Sequence, residues 1–141
     1  MSDNKIHIPP SKRSPLVVFE DNRLFIIGRS IIEKPSEFFN PIFNWLREYI
    51  AQTGEIVSIY FAFEHINTSS IKWIYVIVKE FFEAKELSDK IVIKWFYEEE
   101  DDDVEELGHV FSVLLQKEFD IEAITSSVFD LAKTGIVNLP L

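Results

Sequence analysis

Two hydrophobic periods alternate along this chain, and each change of period marks a new element. Residues 6–8 form a short apolar-polar-apolar piece stopped by Pro9 and Pro10. Residues 16–19 and 24–27 are runs of strand formers on either side of "EDNR", and turn residues between two such runs predict a hairpin. An irregular stretch containing Gly and Pro, "GRSIIEKPSEFF", comes next. Pro41 suits the first turn of a helix, where its missing N–H costs nothing. Ile42, Trp45, Leu46, Tyr49 and Ile50 then recur at helical spacing, and Gly54 closes that helix.

The second half is more apolar. Residues 56–63, "IVSIYFAF", are almost continuously aromatic or β-branched, which predicts a strand buried on both faces. Ile71, Ile74, Tyr75, Val78, Phe81 and Phe82 mark one face of a long helix, with Lys72, Lys79, Glu80 and Glu83 largely between them. "IVIKWFY", residues 91–97, reads as the next buried strand. Residues 101–117 read as a third helix with Val104, Leu107, Phe111, Leu114 and Leu115 inward, and the acidic residues at its start suit the positive end of the helix dipole. Residues 119–124 suggest a last strand. In the tail, Val128, Phe129, Leu131 and Ala132 suggest a short packed helix.

Strands alternating with helices predict an α/β fold: a mixed, mainly parallel sheet with an N-terminal hairpin and about three to four helices. The chain of 141 residues has the length of one ordinary domain, 1–141, with 125–141 as a C-terminal extension whose structure the pattern leaves open. In such a sheet the strand-to-helix loops gather at the carboxyl ends of the strands, where ligands and partners dock. Residues 29–36, 64–69 and 98–103 should meet there.

Composition narrows the function. Hydrophobic residues make up 47% and aromatics 14%, so the chain can build a core. A net charge of −10 argues against nucleic acid and against an anionic membrane surface, both of which call for clustered Lys and Arg. There is no cysteine, which excludes thiol catalysis, disulfides and Cys-ligated metals. The N-terminus has no apolar core of signal-peptide length, and no stretch approaches ~20 uncharged apolar residues. A cytoplasmic protein is expected.

Catalytic constellations are thin. His7, His65 and His109 lie in three different elements, without the close spacing of a metal motif. Four glycines make no phosphate-cradling loop. His65 near Thr68 is one histidine near one hydroxyl, a pairing common by chance, so no cofactor and no enzymatic activity are expected. The acidic run from Glu98 through Glu99, Asp101, Asp102 and Asp103 could hold a hard cation through carboxylates, but it lacks the glycine and ligand alternation of a calcium loop. A solvated loop leading into a helix accounts for it as well.

The cluster "NTSS", residues 67–70, sits between the apolar strand and the long helix. Thr68 could be an N-cap, a role worth ~1 kcal/mol that Asn67 could fill one residue earlier. Capping explains one of these residues, not four in succession. A hydroxyl at a helix start on an exposed rim is also a place where a fold tolerates phosphate, which adds about −1.5 to −2 charges. These physical arguments leave capping and switching level.

Resemblance separates them. Over residues 6–124 the chain resembles the SiaC family of bacterial regulatory phosphoproteins, themselves similar to STAS-type anti-sigma factor antagonists. The likeness is carried by "SPLVVFE", by "GRSIIEKPSEFFNPIFNWLREYI", by "NTSSIKW" and by "WFYEEEDDDVEELG". His65 and Ile66 depart from it, standing where a pair of aromatics is expected, and the tail beyond Ile124 is longer than usual. The resemblance implies a STAS-like fold and a non-catalytic phospho-switch. A protein kinase would phosphorylate Thr68, ahead of Ser69 and Ser70, and a PP2C-like phosphatase would reverse it. The unphosphorylated form would bind and activate a diguanylate cyclase, raising cyclic di-GMP and biofilm growth, or would bind another signalling enzyme or an anti-sigma kinase. Arg29, Ser30, Asn67, Thr68, Ser69, Ser70, Glu99, Asp101, Asp102 and Asp103 would form the partner surface. The alternative is a small metal- or ligand-binding protein that uses the acidic rim. A structural subunit with no switch is the plainest option.

Overall fold

The computed structural model describes residues 5–125 together with residues 127 and 128. Its first three strands are β1 (Ile6–Ile8), β2 (Leu16–Glu20) and β3 (Arg23–Ser30). Asp21 and Asn22 join β2 to β3 with φ of 53° and 60°. A two-residue hairpin turn demands that left-handed backbone, and Asp and Asn adopt it at low cost. Helix α1 (Pro35–Gln52), β4 (Val57–Ile66), α2 (Thr68–Glu83), β5 (Ile91–Glu98), α3 (Asp102–Leu115) and β6 (Asp120–Ile124) follow, with a short 3₁₀ turn at Ser88–Lys90.

The six strands lie in sequential order, β1-β2-β3-β4-β5-β6. β1, β2 and β3 pair antiparallel, and β3 through β6 pair parallel. Every helical crossover thus steps to the adjacent strand in one direction, and right-handed crossovers then put every helix on one face. The packing agrees. Phe39 and Leu46 of α1, Ile74 and Phe81 of α2, and Val104 and Phe111 of α3 share one cluster with Ile26, Phe61, Phe63 and Trp95 of the sheet. The opposite face is a second cluster of Leu16, Val18, Phe25, Ile27, Tyr60, Ala62, Phe96 and Ile124, joined by Val128. Burial on both faces is the reason "IVSIYFAF" does not alternate. Of the tail residues expected in a packed helix, Val128 is buried in this second cluster. Phe129, Leu131 and Ala132 lie outside the described residues.

Three elements differ from expectation. Helix α1 begins at Pro35, so most of the stretch expected to be irregular is helical. Pro35 takes the first helical position, where no N–H is needed, and buried Phe39 anchors that early turn to the sheet. Pro41 then sits inside the helix on its exposed side. Strand β4 excludes Ile56, which is 63% exposed, and runs on through Glu64, His65 and Ile66. Leu114 does not point inward; it is 60% exposed. The buried line of α3 runs through Val104, Gly108 and Phe111, and at about 100° per residue Leu114 falls well to one side of it.

Trp95 docks α3. Its ring is fully buried and packs against Phe61, Phe63 and Phe111. Its indole N–H donates to the Val104 carbonyl at 2.8 Å. The ring lies so close to the helix that a Cβ on Gly108 would stand 2.6 Å from Trp95 Cδ1. Gly108→Ala would improve helix propensity by about 1 kcal/mol, but overpacking a filled core costs typically 1–3 kcal/mol. We expect the substitution to lower the thermal midpoint by a few degrees, measured by calorimetry. A raised midpoint would show that the ring can shift without cost.

Candidate functional site

The carboxyl ends of β3, β4 and β5 form a rim, and Asn67 ties it together. Asn67 is the single residue between β4 and α2. Its backbone N–H donates to the Ser30 carbonyl at 2.9 Å, and its side-chain Nδ2 donates to the Ile32 carbonyl at 3.2 Å. Its Oδ1 accepts from the Ser70 N–H at 2.9 Å and from the Ser69 hydroxyl at 3.3 Å. Its carbonyl accepts the Ile71 N–H. One side chain thus caps α2 and fastens it to the end of β3.

This arrangement sorts the hydroxyls. Asn67, and not Thr68, is the cap of α2. Thr68 is the first helical residue and is exposed. Among the described residues, no hydrogen bond occupies its hydroxyl. Ser69 is half-buried and turned back onto Asn67. Ser70 is fully buried, and its Oγ has no hydrogen-bond partner among the described residues. The first turn of α2 packs this side chain inward. Ser30 is likewise buried with its Oγ unpaired among the described residues.

Gly28 shapes the β3 side of the rim. Its φ of 125° accompanies a register shift, after which Arg29 stands opposite His65 and Ser30 opposite Ile66. A bulge of this kind re-aims the side chains beyond it, and glycine takes the backbone angle without strain. Arg29 then reaches Glu64, whose Oε1 accepts from Nε at 3.1 Å and from Nη2 at 2.7 Å. Glu64 Oε2 is buried without a hydrogen-bond partner among the described residues.

The third side of the rim is acidic. The turn after β5 bends at Glu100, with φ 73°, and Asp101 caps α3 by accepting from the Val104 N–H at 3.2 Å. Glu98 Oε2 accepts from the Val128 N–H at 2.9 Å. Glu99, Asp102 and Asp103 are exposed. Partial burial, and then the negative charges of Glu105, Asp102 and Glu99, push the Tyr97 phenol above its ordinary pKa. Between the acidic turn and the start of α2 lies a cleft of about 390 Å³, lined by Glu64, His65, Ile66, Ile71, Asp101, Asp103, Val104 and Leu107.

The structure therefore places Arg29, Ser30, Asn67, Thr68, Ser69 and Ser70 on the β3–α2 side of one rim, with Glu99 and Asp101 to Asp103 on the β5–α3 side. Asp102 and Glu99 do not line the cleft. The stretch 64–69 was expected at this rim, but Glu64 and Ile66 were not singled out as site residues, and Ile71 and Leu107 were expected only as inward positions of their helices. The signal available for Glu64 was a carboxylate closing an apolar run, and its pairing with Arg29 depends on the register shift at Gly28/Arg29, where Glu64 is the extra residue of β4.

Chemically the rim offers surfaces for a partner. Among the described residues, no three His, Asp or Glu side chains are grouped to hold a metal ion. No described helix is long and apolar enough to cross a membrane. The parallel part of the sheet ends on an exposed hydroxyl and a charged cleft. The chain belongs to the SiaC family of regulatory phosphoproteins, whose family model matches residues 8–124. The family is regulatory and not catalytic. The fold is similar to that of apo-SiaC from Pseudomonas aeruginosa, with 26% identity, 87% of this chain and 100% of that chain covered, and a TM-score of 0.76. It is equally similar to SiaC of that organism in complex with the diguanylate cyclase SiaD, which that SiaC activates, with 26% identity, 84% and 99% covered, and a TM-score of 0.77. An uncharacterised protein of Pseudomonas aeruginosa strain UCBPP-PA14 is 27% identical over 113 residues, covering 79% of this chain and 88% of its own.

The hydrogen bonds of the rim make a contrast testable by denaturant unfolding. Asn67→Ala removes the cap and the tether to Ile32, and should cost about 1–3 kcal/mol. Ser70→Ala removes a buried hydroxyl that has no partner, and should leave stability within about 0.5 kcal/mol of wild type or raise it. A large loss on Ser70→Ala would mean that its hydroxyl is bonded after all.

Proposed function

We propose that this protein is a non-catalytic switch whose unphosphorylated form binds and activates a diguanylate cyclase, and that phosphorylation of Thr68 ends that binding. The observation that carries the reading is the division of labour at the start of α2: Asn67 caps the helix, which leaves the exposed Thr68 hydroxyl with no structural duty. The complex of the similar SiaC with its cyclase supports the choice of partner. In this reading a protein kinase adds the phosphate and a PP2C-like phosphatase removes it, and the protein works in the cytoplasm. Residues 1–141 act as one STAS-like domain with 125–141 as an extension. The partner surface is the β3–α2 side of the rim, with Arg29, Asn67, Thr68 and Ser69 around it and Glu99 and Asp101 to Asp103 beside it; Ser30 and Ser70, expected there, are fully buried and take no direct part.

The energetics favour a switch of surface over a switch of fold. A phosphate on the first residue of α2 meets the positive end of the helix dipole, a stabilising interaction of about 0.3–1 kcal/mol. Buried at an interface without a partner, the same dianion costs several kcal/mol, and each 1.4 kcal/mol is a tenfold loss of affinity.

Thr68→Glu should therefore keep the thermal midpoint of wild type and weaken cyclase binding tenfold or more, measured by calorimetry and by titration of the cyclase. Thr68→Ala should bind as wild type and resist the kinase. Because Asn67 holds the cap, Thr68→Ala should also melt as wild type, whereas a capping threonine would lose about 1 kcal/mol. Undiminished binding by both Thr68→Glu and the phosphorylated protein would overturn the reading.

A further inference from the structure

The sheet face opposite the helices is apolar, and no described helix lies on it. Register aligns Leu16, Ile27, Ala62 and Phe96 in one row across β2 to β5, and Val18 and Phe25 stand in the next row. No side chain of this cluster is more than 6% exposed, and none belongs to a described helix. A sheet face as apolar as this is buried only when another element packs on it. The cover ends at β2, because His7, level with Val18 on β1, is exposed. It begins at the other side of the sheet. Val128 is fully buried in the same cluster, and its N–H donates to Glu98 at 2.9 Å. The chain thus passes from the end of β6 onto this face.

We propose that the occupant of this face is the chain's own C-terminal segment, residues 129–141, lying across the sheet from β6 to β2 as an apolar strap. The inference does not depend on the switch reading. Sequence, length and tethering all favour this occupant. The segment carries Phe129, Leu131, Ile136, Val137 and Leu139 with only two charged side chains, whereas residues 1–4, "MSDN", hold one apolar side chain. From β6 to β2 is four interstrand steps, about 19 Å in all. Thirteen residues reach that far even as a helix, at ~1.5 Å per residue. A segment tethered at Val128 also meets the face at a local concentration on the order of millimolar, which a second copy of the chain does not match in dilute solution. The match to the family model ends at residue 124, so the strap lies outside the part that this chain shares with the family. It closes an apolar surface that would otherwise pair with other proteins, and leaves the rim open.

The test uses the full chain, whose lack of cysteine makes a single label unambiguous. A nitroxide is attached to Asn138→Cys, and its broadening of methyl signals is read by NMR. We expect the Val18 and Ile27 methyl signals to lose most of their intensity, and those of Val113, 76% exposed on α3, to keep theirs. A mixture of isotope-labelled wild type with nitroxide-labelled protein at natural abundance should show no broadening. Val18 and Ile27 signals that survive in the singly labelled protein would overturn the strap. Equal broadening in the mixture would assign the face to a second copy of the chain and overturn it too. As a second measurement, the full-length double variant Leu131→Asp, Ile136→Asp should bind an apolar fluorescent dye with at least threefold greater fluorescence than wild type, because the face is uncovered. Dye fluorescence unchanged from wild type would show that these side chains do not cover the sheet, and would likewise overturn the strap.

Discussion

The direction of the crossovers constrains everything else in this domain. Three successive β-α-β steps move to the next strand without reversing, so the three helices share one face of the sheet. The starts of α1, α2 and α3 therefore follow the carboxyl ends of neighbouring parallel strands, along one edge. A reversal of strand order would have split the helices between two faces and created a crevice for a ligand. Without a reversal there is no switch-point crevice, and a concavity on this rim is the cleft between the start of α2 and the acidic turn before α3.

On that rim one side chain carries most of the organisation. Asn67 joins the end of β3 to the start of α2 through four hydrogen bonds made by its backbone N–H and side chain. Its presence frees the next residue from structural work and buries the third hydroxyl. The same four-residue cluster thus contains a clamp, an exposed hydroxyl, a half-bonded serine and a core serine. Arg29 and Glu64 brace the neighbouring strands where the register shift at Gly28/Arg29 brings them together. In the switch reading, a charge placed on the exposed hydroxyl would change what the rim can touch and leave the clamp that holds α2 in place.

Much of this was legible in residue order. The apolar run 56–63 announced a strand buried on two faces from Val57 onward, the run 91–97 announced a strand whose Val92 is nonetheless exposed, and "EDNR" announced the hairpin turn. The clustering of the three loops followed from βαβ topology alone. The early start of α1 was hidden because the stretch around Pro35 read as irregular and Pro41 read as the first turn, while Phe39 packing anchors the turn before it. The exposure of Leu114 was hidden because a three-residue step from Phe111 looks inward until Trp95 fixes which line of α3 faces the sheet. The choice between Asn67 and Thr68 as cap was open because both side chains can do it, and backbone geometry decides. The Arg29–Glu64 pair depends on a bulge, and a bulge shifts register in a way that residue order does not encode.

The central claim is that Thr68 can carry a phosphate without disturbing the clamp beneath it. Amide hydrogen exchange, compared between unmodified protein and protein with phosphothreonine incorporated at position 68, tests this most directly. The account predicts that the Ser70 and Ile71 amides and the core of α2 keep their protection, with changes confined to the first turn and the adjoining rim. Loss of protection along α2 or at the end of β3 would contradict it, because phosphorylation would then act by unfastening the helix.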